Sequence, residues 1–399
     1  MRKLISSPVK MPLSDSESQI YQKILNLLPD VMLNLMAVKV EKNPEDFSGW
    51  CIELCRICRE DVNIDLLETS QLPTLKKLQG FLESGVSLVQ LKMLRIAPWP
   101  IVSHFIFKNA NTQALEERLA LLDYLQSIKE QPLAQMTEED RLAFAGKHTR
   151  EHSLAIYKFD VEWFSSTKSA KNFHQLLKNH AQAFDLAIDC IPATGDVSFK
   201  NYQQFVTAYL DIFSRYGKGE KAALIPATRL LAMHRPDQFI ALTTAKTDII
   251  CQGFDIVKLN SHAFTSYWHD LIGTLRTMPW WHQPKPEENT DSERELILWQ
   301  YRAILVDLFL FADESLAQKS TYWRLSQKSG DKVNNRAIST STLTGMKRTK
   351  ASAEDLVDKA LLNEEYPAYL KKKRDSIVNA VKEGKSVDHV INMMRAIFG

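Results

Sequence analysis

NYQQFVTAYLDIFSRYG, residues 201–217, is the clearest amphipathic segment of the chain. Its large apolar residues recur every three or four positions, the spacing that places side chains on one face of an α-helix. They are Tyr202, Phe205, Val206, Tyr209, Leu210, Phe213 and Tyr216. Gly217 follows the last of them and suits the end of a helix. The segment therefore predicts a helix with a buried aromatic face.

The same helical spacing occurs at 16–28 and 112–128. Glycine is scarce, at 13 of 399 residues, which disfavours many-stranded sandwiches and phosphate-binding loops. The stretch 240–257 is rich in Ile, Val and Thr and favours a short strand pair. The apolar run 295–311 predicts a buried central helix in which Arg302 and Asp307 need partners. We predict a mainly α-helical, multi-helix body with at most a small β element.

Charge and cysteine content indicate the compartment. The chain has 50 basic and 48 acidic residues, so a nucleic-acid site must come from local clustering of charge. Five cysteines, an odd and sparse set, favour reduced thiols. The first 15 residues lack the apolar core of a signal peptide, and the most apolar run, 303–312, is too short to span a bilayer. We expect a cytoplasmic protein without a membrane partner.

Changes of composition suggest four regions. Residues 1–150 form a helical N-terminal region, and 151–318 form a helical core region rich in aromatic residues. Residues 319–352 are basic and rich in Ser and Thr, which is typical of a linker or long loop. Residues 353–399 return to a helical pattern and predict a small C-terminal helical module.

The predicted linker is also the best candidate for binding phosphate groups, because clustered cations bind them largely irrespective of base sequence. It contains eight basic residues and a single acid, Asp331. They are Lys319, Arg324, Lys328, Lys332, Arg336, Lys347, Arg348 and Lys350. Tyr322 and Trp323 could add stacking on bases. A solvated linker without a ligand is the alternative.

AGKHTREHS, residues 145–153, contains His148, Glu151 and His152 in the order H-x-x-E-H. These five residues resemble the site of the inverted-motif zinc peptidases of the insulysin and pitrilysin type, in which the two His bind zinc and the Glu activates water. The surroundings differ, since Thr149 and Arg150 stand between the ligands. Thr137 and Asp140 have capping-box spacing for a helix that could run through Gly146 into this stretch. We therefore interpret it as a polar helix face and expect no metal.

Cys51, Cys55 and Cys58 have the C-x3-C-x2-C spacing of a radical S-adenosylmethionine cluster loop. Such a loop must be irregular so that three thiolates converge on iron. Here the spacing, continued by Val62, predicts a helical stripe of small buried side chains. Phosphate-loop, dinucleotide-binding and nucleophile-elbow patterns do not occur in the sequence. We expect no cofactor and, more generally, a protein that is not an enzyme.

The region 221–311 combines four tryptophans with charged residues around the turn His-Arg-Pro-Asp. One interpretation is a hydrophobic core closed by a rigid loop. The other is an aromatic-walled pocket formed by Arg229, His234, Arg235, Asp237, Trp268, Trp280 and Trp281. The pattern of an apolar helix followed by His-Arg-Pro-Asp-x-Phe resembles helical segments of uncharacterised bacterial proteins encoded near restriction and anti-phage systems. That resemblance implies a role around foreign nucleic acid.

The sequence thus leads to three hypotheses of function. The first is a non-catalytic component of a bacterial DNA-processing or anti-phage defence system that associates with DNA or RNA, or joins a complex with a protein partner. The second is a protein-interaction scaffold that does not bind nucleic acid. The third is a zinc metallohydrolase that uses His148, Glu151 and His152.

Overall fold

The computed structural model describes residues 11–36, 45–62, 67–68, 70–287, 293–313, 315–327, 353–361, 374–382, 387 and 390–391. In these residues the regular structure is helical and no strand occurs, which confirms the predicted mainly α-helical fold. By contacts between Cα atoms the chain divides into two units, Met1–Lys332 and Val333–Gly399.

The first unit begins with long helices and continues with shorter ones. The α-helices of its first half are α1 (Asp15–Met36), α2 (Phe47–Arg56), α3 (Leu72–Ile96), α4 (Trp99–Lys108), α5 (Leu115–Ile128) and α6 (Glu138–Ala145). Those of its second half are α7 (Lys171–Asn179), α8 (Ala181–Ile188), α9 (Phe199–Tyr216), α10 (Leu224–His234), α11 (Thr244–Phe254), α12 (Gly273–Thr277), α13 (Glu293–Gln300) and α14 (Ser315–Lys319). A short turn of helix, Phe264–Ser266, and a π-helical stretch, Tyr267–Ile272, precede α12.

Helix α3 is shared by two hydrophobic clusters of the first unit. Its first half packs on α1 and α2, and Leu78 and Leu82 are fully buried there. Its second half belongs to a larger cluster that runs from Leu91 to Leu310. Helix α11 also packs on α3, at a point where a Cβ on Gly253 would overlap the side chain of Leu91. The large cluster includes residues on both sides of the predicted boundary at 150/151.

Helix α9 has the aromatic face that its spacing predicts. Tyr202, Phe205, Tyr209 and Phe213 are buried, and Ser198 begins the helix with a capping box that includes Asn201. The predicted stripe is wider than the buried face, because Leu210 and Tyr216 are each 42% exposed.

The prediction of a strand pair at 240–257 is wrong. Residues 244–254 form helix α11, and the Thr243 side chain accepts a hydrogen bond from the Lys246 amide at its start. Thr247, Ile250, Cys251 and Phe254 are buried at helical spacing on its inner face. An N-cap and this spacing outweigh the weak preference of Ile, Val and Thr for strands.

The predicted single helix over 295–311 is interrupted. Helix α13 ends at Gln300, and a 3-10 helix follows at Ile304–Phe309. At the interruption the Ile304 amide donates to the carbonyl oxygen of Pro236 at 3.0 Å. The Ile304 amide therefore has its hydrogen-bond partner outside the helix, and this bond connects the segment to the turn after α10.

Asp307 lies in that 3-10 helix and is buried between two cations, as its place in an apolar run requires. Its carboxylate oxygens lie 2.5 Å from Arg118 on α5 and 2.5 Å from Lys246 on α11. The Arg118 guanidinium also lies over the Trp163 ring, with its Cζ 4.3 Å from the centroid. Burial acts to raise the pKa of Asp307, but the charges of Lys246 and Arg118 hold it below its usual value.

The second unit has its own small hydrophobic cluster. Helices α15 (Ala353–Leu361) and α16 (Arg374–Lys382) bury Val357 and Ile377, and Asp358 accepts two hydrogen bonds from Arg374. The boundary between the units falls inside the predicted linker 319–352. The first part of that span differs from a linker, since 321–327 are helical.

We expect Asp307→Asn to lower the free energy of unfolding by about 3–5 kcal/mol at pH 7, because it leaves two cations without their shared anion in a buried site. Since the folded-state pKa of Asp307 is depressed, its contribution is present above the unfolded-state pKa and is lost as the pH falls through the folded-state pKa. The difference between the two proteins should therefore shrink below about pH 4. Urea unfolding at pH 7 and pH 3 measures it.

Asp248→Asn is the matched control, because Asp248 pairs with Lys258 at 2.7 Å while both side chains are largely exposed. This variant should lose less than about 1 kcal/mol. Equal losses in the two variants would contradict a special role for the buried carboxylate.

Candidate functional site

The H-x-x-E-H stretch is a turn and not the predicted helix face. Helix α6 ends at Ala145, because Gly146 adopts a left-handed backbone conformation with φ of 77°. A Cβ there would overlap the carbonyl oxygen of Ser165, so the reversal requires glycine. Glu151 is exposed, and the rings of His148 and His152 stack with centroids 5.3 Å apart.

His152 already uses both ring nitrogens. Nδ1 accepts the Thr149 amide at 2.9 Å, which places the proton on Nε2, 2.9 Å from the carbonyl oxygen of Glu139. Burial, followed by the neighbouring His152, lowers the pKa of His148. Among the described residues no group of three His, Cys, Asp or Glu side chains could hold a metal ion. The arrangement is a hydrogen-bonded turn that joins α6 to the following segment.

The three clustered cysteines lie on a helical stretch, as their spacing predicts. Cys51 and Cys55 lie on α2, and Cys58 lies in the π-helical turn Ile57–Asp61 that continues it. All three are buried free thiols. Burial raises the pKa of Cys55 to about 11 and that of Cys58 to about 12, so both stay protonated and pack as small apolar groups.

The structure does not bring the seven predicted pocket residues together. Arg229 lies in the core, where its guanidinium donates to the carbonyl oxygens of Phe144, Val161 and Ala143 at 3.0 Å and to that of Trp163. Burial lowers the pKa of Arg229 to about 9. Arg229 therefore fastens the end of α6 to the segment 161–164 and does not face solvent.

The three predicted pocket tryptophans are not among the lining residues of the cleft described below, although Trp281 contacts Arg302, which lines it. Trp268 stacks on Tyr202 with centroids 4.9 Å apart, and Trp280 is buried beside Trp99. Trp281 is half-buried and lies between two guanidinium groups, those of Arg276 and Arg302, with distances of 5.9 and 4.8 Å from Cζ to the ring centroid.

The other three predicted residues, His234, Arg235 and Asp237, line a cleft of about 730 Å³. Four cations occur among its described lining residues: Lys129 at the end of α5, Arg235 after α10, Lys285, and Arg302 after α13. Within the same described lining, Asp237 is the single acidic residue. Burial lowers the pKa of His234, whose Nε2 lies 3.2 Å from the carbonyl oxygen of Ile191, so we count it as uncharged. The described part of the lining thus carries more cations than acids, in a chain that is nearly neutral as a whole.

All three guanidinium nitrogens of Arg235 donate hydrogen bonds. It forms two 2.8 Å hydrogen bonds to the Asp237 carboxylate and donates to the carbonyl oxygens of Pro192 and Gly195. Burial acts to raise the pKa of Asp237, but the hydrogen bonds and charge of Arg235, with a hydrogen bond from Gln238, hold it below its usual value. Arg235 and Asp237 therefore form the frame of the cleft and neutralise each other.

Arg302 is held differently. Its guanidinium lies against Trp281 and Trp299, with Cζ 4.8 and 4.7 Å from the two ring centroids. Among the described residues it has a single hydrogen-bond acceptor, the carbonyl oxygen of Trp299 at 3.1 Å. Its buried Nε–H has no partner there. Burial lowers the pKa of Arg302, against the pull of Asp237 and Asp196. Its position is fixed while most of its hydrogen-bonding capacity is unused.

Sequence reasoning found one side of this cleft. It missed Lys129 and Lys285, which are separated in sequence and belong to no motif. The sequence did single out Arg302, because a charged residue in an apolar run needs a partner. It did not predict the turn at 301–303, which interrupts the expected helix and places Arg302 at the cleft.

Of the eight predicted phosphate-binding residues, Lys319 and Arg324 are described, and both are exposed. The segment that carries them is attached to the body through Ser320, which donates to Glu117 at 2.6 Å, and the Thr321 amide, which donates to Asp160 at 2.5 Å. Trp323 is 38% exposed. Outside the described residues lie Lys328, Lys332, Arg336, Lys347, Arg348 and Lys350.

The contrast between the two cleft arginines predicts unequal effects on stability. Arg235→Gln should lower the free energy of unfolding by about 3–5 kcal/mol, because Asp237 loses its buried partner. Arg302→Gln should lower it by about 1 kcal/mol, since it removes ring contacts and leaves no carboxylate unpaired. Urea unfolding of both variants tests this. A loss at Arg302 as large as that at Arg235 would mean that Arg302 is part of the frame.

Comparison of the chain with family models, curated proteins and solved structures finds no match. The resemblance of 221–311 to proteins encoded near restriction and anti-phage systems therefore stays a prediction. No helix within the described residues is long and apolar enough to cross a membrane.

Proposed function

We propose that this protein is a non-catalytic, nucleic-acid-associated component and that its cationic cleft binds phosphate groups. The observation that carries the proposal is Arg302, a guanidinium fixed between two indole rings in the cleft with hydrogen-bond donors to spare. A planar guanidinium presents parallel N–H groups that match the oxygens of a phosphate.

The charges around Arg302 support an anionic ligand. Lys129 lines the same cleft, and Asp237, the acid among the described lining residues, is already paired with Arg235. Lys129 donates to Gln126 at 2.8 Å and keeps donors for a ligand. Clefts lined by one sign of charge between apolar walls focus the electrostatic field and concentrate counter-ions. This arrangement favours binding over catalysis, because His234 and Asp237, the lining groups that could transfer a proton, are engaged in structural hydrogen bonds.

The basic residues of 319–352 support the same function through a second region. Lys319 and Arg324 are exposed beside Trp323, and the sequence adds six further cations. Such clusters bind nucleic-acid phosphates by releasing counter-ions. Membership of a DNA-processing or anti-phage defence system, with a protein partner, is part of the proposal and rests on the resemblance of 221–311.

Fluorescence anisotropy of labelled single- and double-stranded DNA and RNA across a range of salt concentrations tests the proposal. Binding should weaken with a log–log slope of about 0.9 for each phosphate neutralised on duplex DNA and about 0.7 on single strands. Arg302→Gln should raise the Kd by about tenfold or more, because a hydrogen bond to a charged group contributes about 1.5–3 kcal/mol.

Arg150→Gln is the matched control, since Arg150 is an exposed arginine outside the cleft, and its Kd should stay within about twofold of the original protein, as a screened surface charge contributes little. Replacing Lys347, Arg348 and Lys350 by Gln should lower the salt slope by about 2–3. Absence of binding to every nucleic acid, or binding that ignores salt, would contradict the proposal.

A further inference from the structure

We infer that Trp281 is a positioning residue of the cleft: it holds the Arg302 guanidinium where a phosphate group binds, and Arg276 holds Trp281 in turn. The inference rests on the proposed function and deepens it. Neither Trp281 nor Arg276 is among the described lining residues of the cleft, so both act on a bound phosphate through Arg302.

Trp281 belongs to a series of rings and guanidinium groups in contact. Arg276 Cζ lies 4.6 Å from the ring centroid of Trp268 and 5.9 Å from that of Trp281. Arg302 Cζ lies 4.8 Å from the Trp281 centroid and 4.7 Å from that of Trp299. All four distances are within the roughly 6 Å at which a ring attracts a cation. Trp281 is therefore the ring that the two arginines share.

Both ends of this series are fixed in the core. Trp268 stacks on the buried ring of Tyr202 in α9, with centroids 4.9 Å apart. Trp299 contacts the buried ring of Trp99 edge to face, with centroids 4.8 Å apart. The groups between these ends are confined from both directions, so each one limits the positions of its neighbours.

Arg276 is held by hydrogen bonds as well as by rings. One of its terminal nitrogens donates to the carbonyl oxygen of Val197 at 3.0 Å and to Oε1 of Gln238 at 2.9 Å. Nε2 of the buried Gln238 donates to the Asp237 carboxylate at 3.0 Å. Arg276 is thus connected to the frame of the cleft and gives Trp281 a fixed neighbour.

The backbone also restricts Trp281. It lies in the 3-10 helix Pro279–His282, where its amide donates to the carbonyl oxygen of Met278 at 3.0 Å. Pro279 fixes one backbone dihedral two residues earlier. The side chain of Trp280, between them, is fully buried. The ring of Trp281 therefore projects from a rigid turn.

Arg302 depends on its rings because hydrogen bonds restrain it little. Among the described residues its guanidinium has one acceptor, the carbonyl oxygen of Trp299. Without the Trp281 ring, Trp299 is the remaining described ring against it. A guanidinium held on one side can occupy several rotamers. Immobilising such a side chain when a ligand binds costs affinity.

The first test is the affinity of the full chain for a short fluorescent single-stranded oligodeoxynucleotide, measured by anisotropy. Trp281→Leu should raise the Kd by about threefold to tenfold, the cost of immobilising one long side chain on binding. Trp281→Phe keeps a ring beside Arg302, so its Kd should stay within about twofold of the original.

Phe81→Leu is the matched control. Phe81 is also a half-buried ring that faces a cation, with Lys23 Nζ 5.6 Å from its centroid, and it lies outside the described lining of the cleft. Its replacement should leave the Kd within about twofold, because distant sites act independently.

A double-mutant cycle tests whether Trp281 acts through Arg302. In the Arg302→Gln background, Trp281→Leu should change the Kd by less than about twofold, because the guanidinium that Trp281 positions is already absent. Arg276→Gln should raise the Kd of the original protein by about twofold to fivefold, the equivalent of one cation–ring contact. Equal effects of Trp281→Leu in the two backgrounds would overturn the positioning role.

A second measurement requires no nucleic acid. In protein labelled with nitrogen-15, the nuclear magnetic resonance signal of the Arg302 Nε–H is the one that disappears in Arg302→Gln. A hydrogen over the face of an indole is shielded by the ring current, so this signal should lie upfield of ordinary arginine signals. Trp281→Leu should move it downfield, and Phe81→Leu should leave it in place.

The inference and the proposed function fail in different ways. Nucleic-acid binding that Arg302→Gln weakens and Trp281→Leu does not would overturn the positioning role and leave the proposed function standing. Absence of all nucleic-acid binding overturns the proposed function, and the Arg302 signal then decides the positioning role. A signal that Trp281→Leu moves supports that role, and an unchanged signal overturns it.

Discussion

The carboxylate of Asp307 fixes the arrangement on which the cleft depends. It is buried between Arg118 and Lys246, which come from two helices far apart in sequence, and so anchors the 3-10 helix Ile304–Phe309. Just before it, the Ile304 amide bonds to Pro236 and joins this segment to the turn that carries Arg235 and Asp237. A backbone hydrogen bond beside a buried ion triad thus joins the two sides of the cleft.

Three arginines of the first unit differ in the groups that hold their side chains. Arg229 donates its hydrogen bonds to backbone carbonyl oxygens in the core, and Arg235 donates to a carboxylate and two carbonyl oxygens. Arg302 is positioned by aromatic rings, which fix a cation without using its N–H groups. Buried donors and acceptors are almost always satisfied, and among the described residues the Nε of Arg302 is one of six buried side-chain atoms without a partner. Of these six residues, Arg302 is the one that lines the cleft.

Much of the fold was predictable from local patterns. The aromatic residues of 201–217 form the buried face of a helix, as their spacing predicts, and the cysteines of 51–58 lie on a helical stretch, as theirs predicts.

The predictions were wrong where a single residue or a distant contact opposes the local sequence pattern. Gly146 ends α6 and turns the H-x-x-E-H stretch into a loop, and Thr243 caps a helix where β-branched residues suggested strands. The turn after Gln300 depends on a contact with Pro236, which no local pattern encodes. For the same reason three lining residues, His234, Arg235 and Asp237, could be predicted from one short motif, whereas Lys129 and Lys285 are brought to the cleft only by tertiary packing.

The most direct measurement of the central claim is a crystal structure of the protein with a short single-stranded oligonucleotide. A phosphate bound to the Arg302 guanidinium through two hydrogen bonds of about 2.7–2.9 Å, the length of charge-assisted pairs, is the predicted result. An oligonucleotide bound elsewhere, with no phosphate at Arg302, would contradict the account.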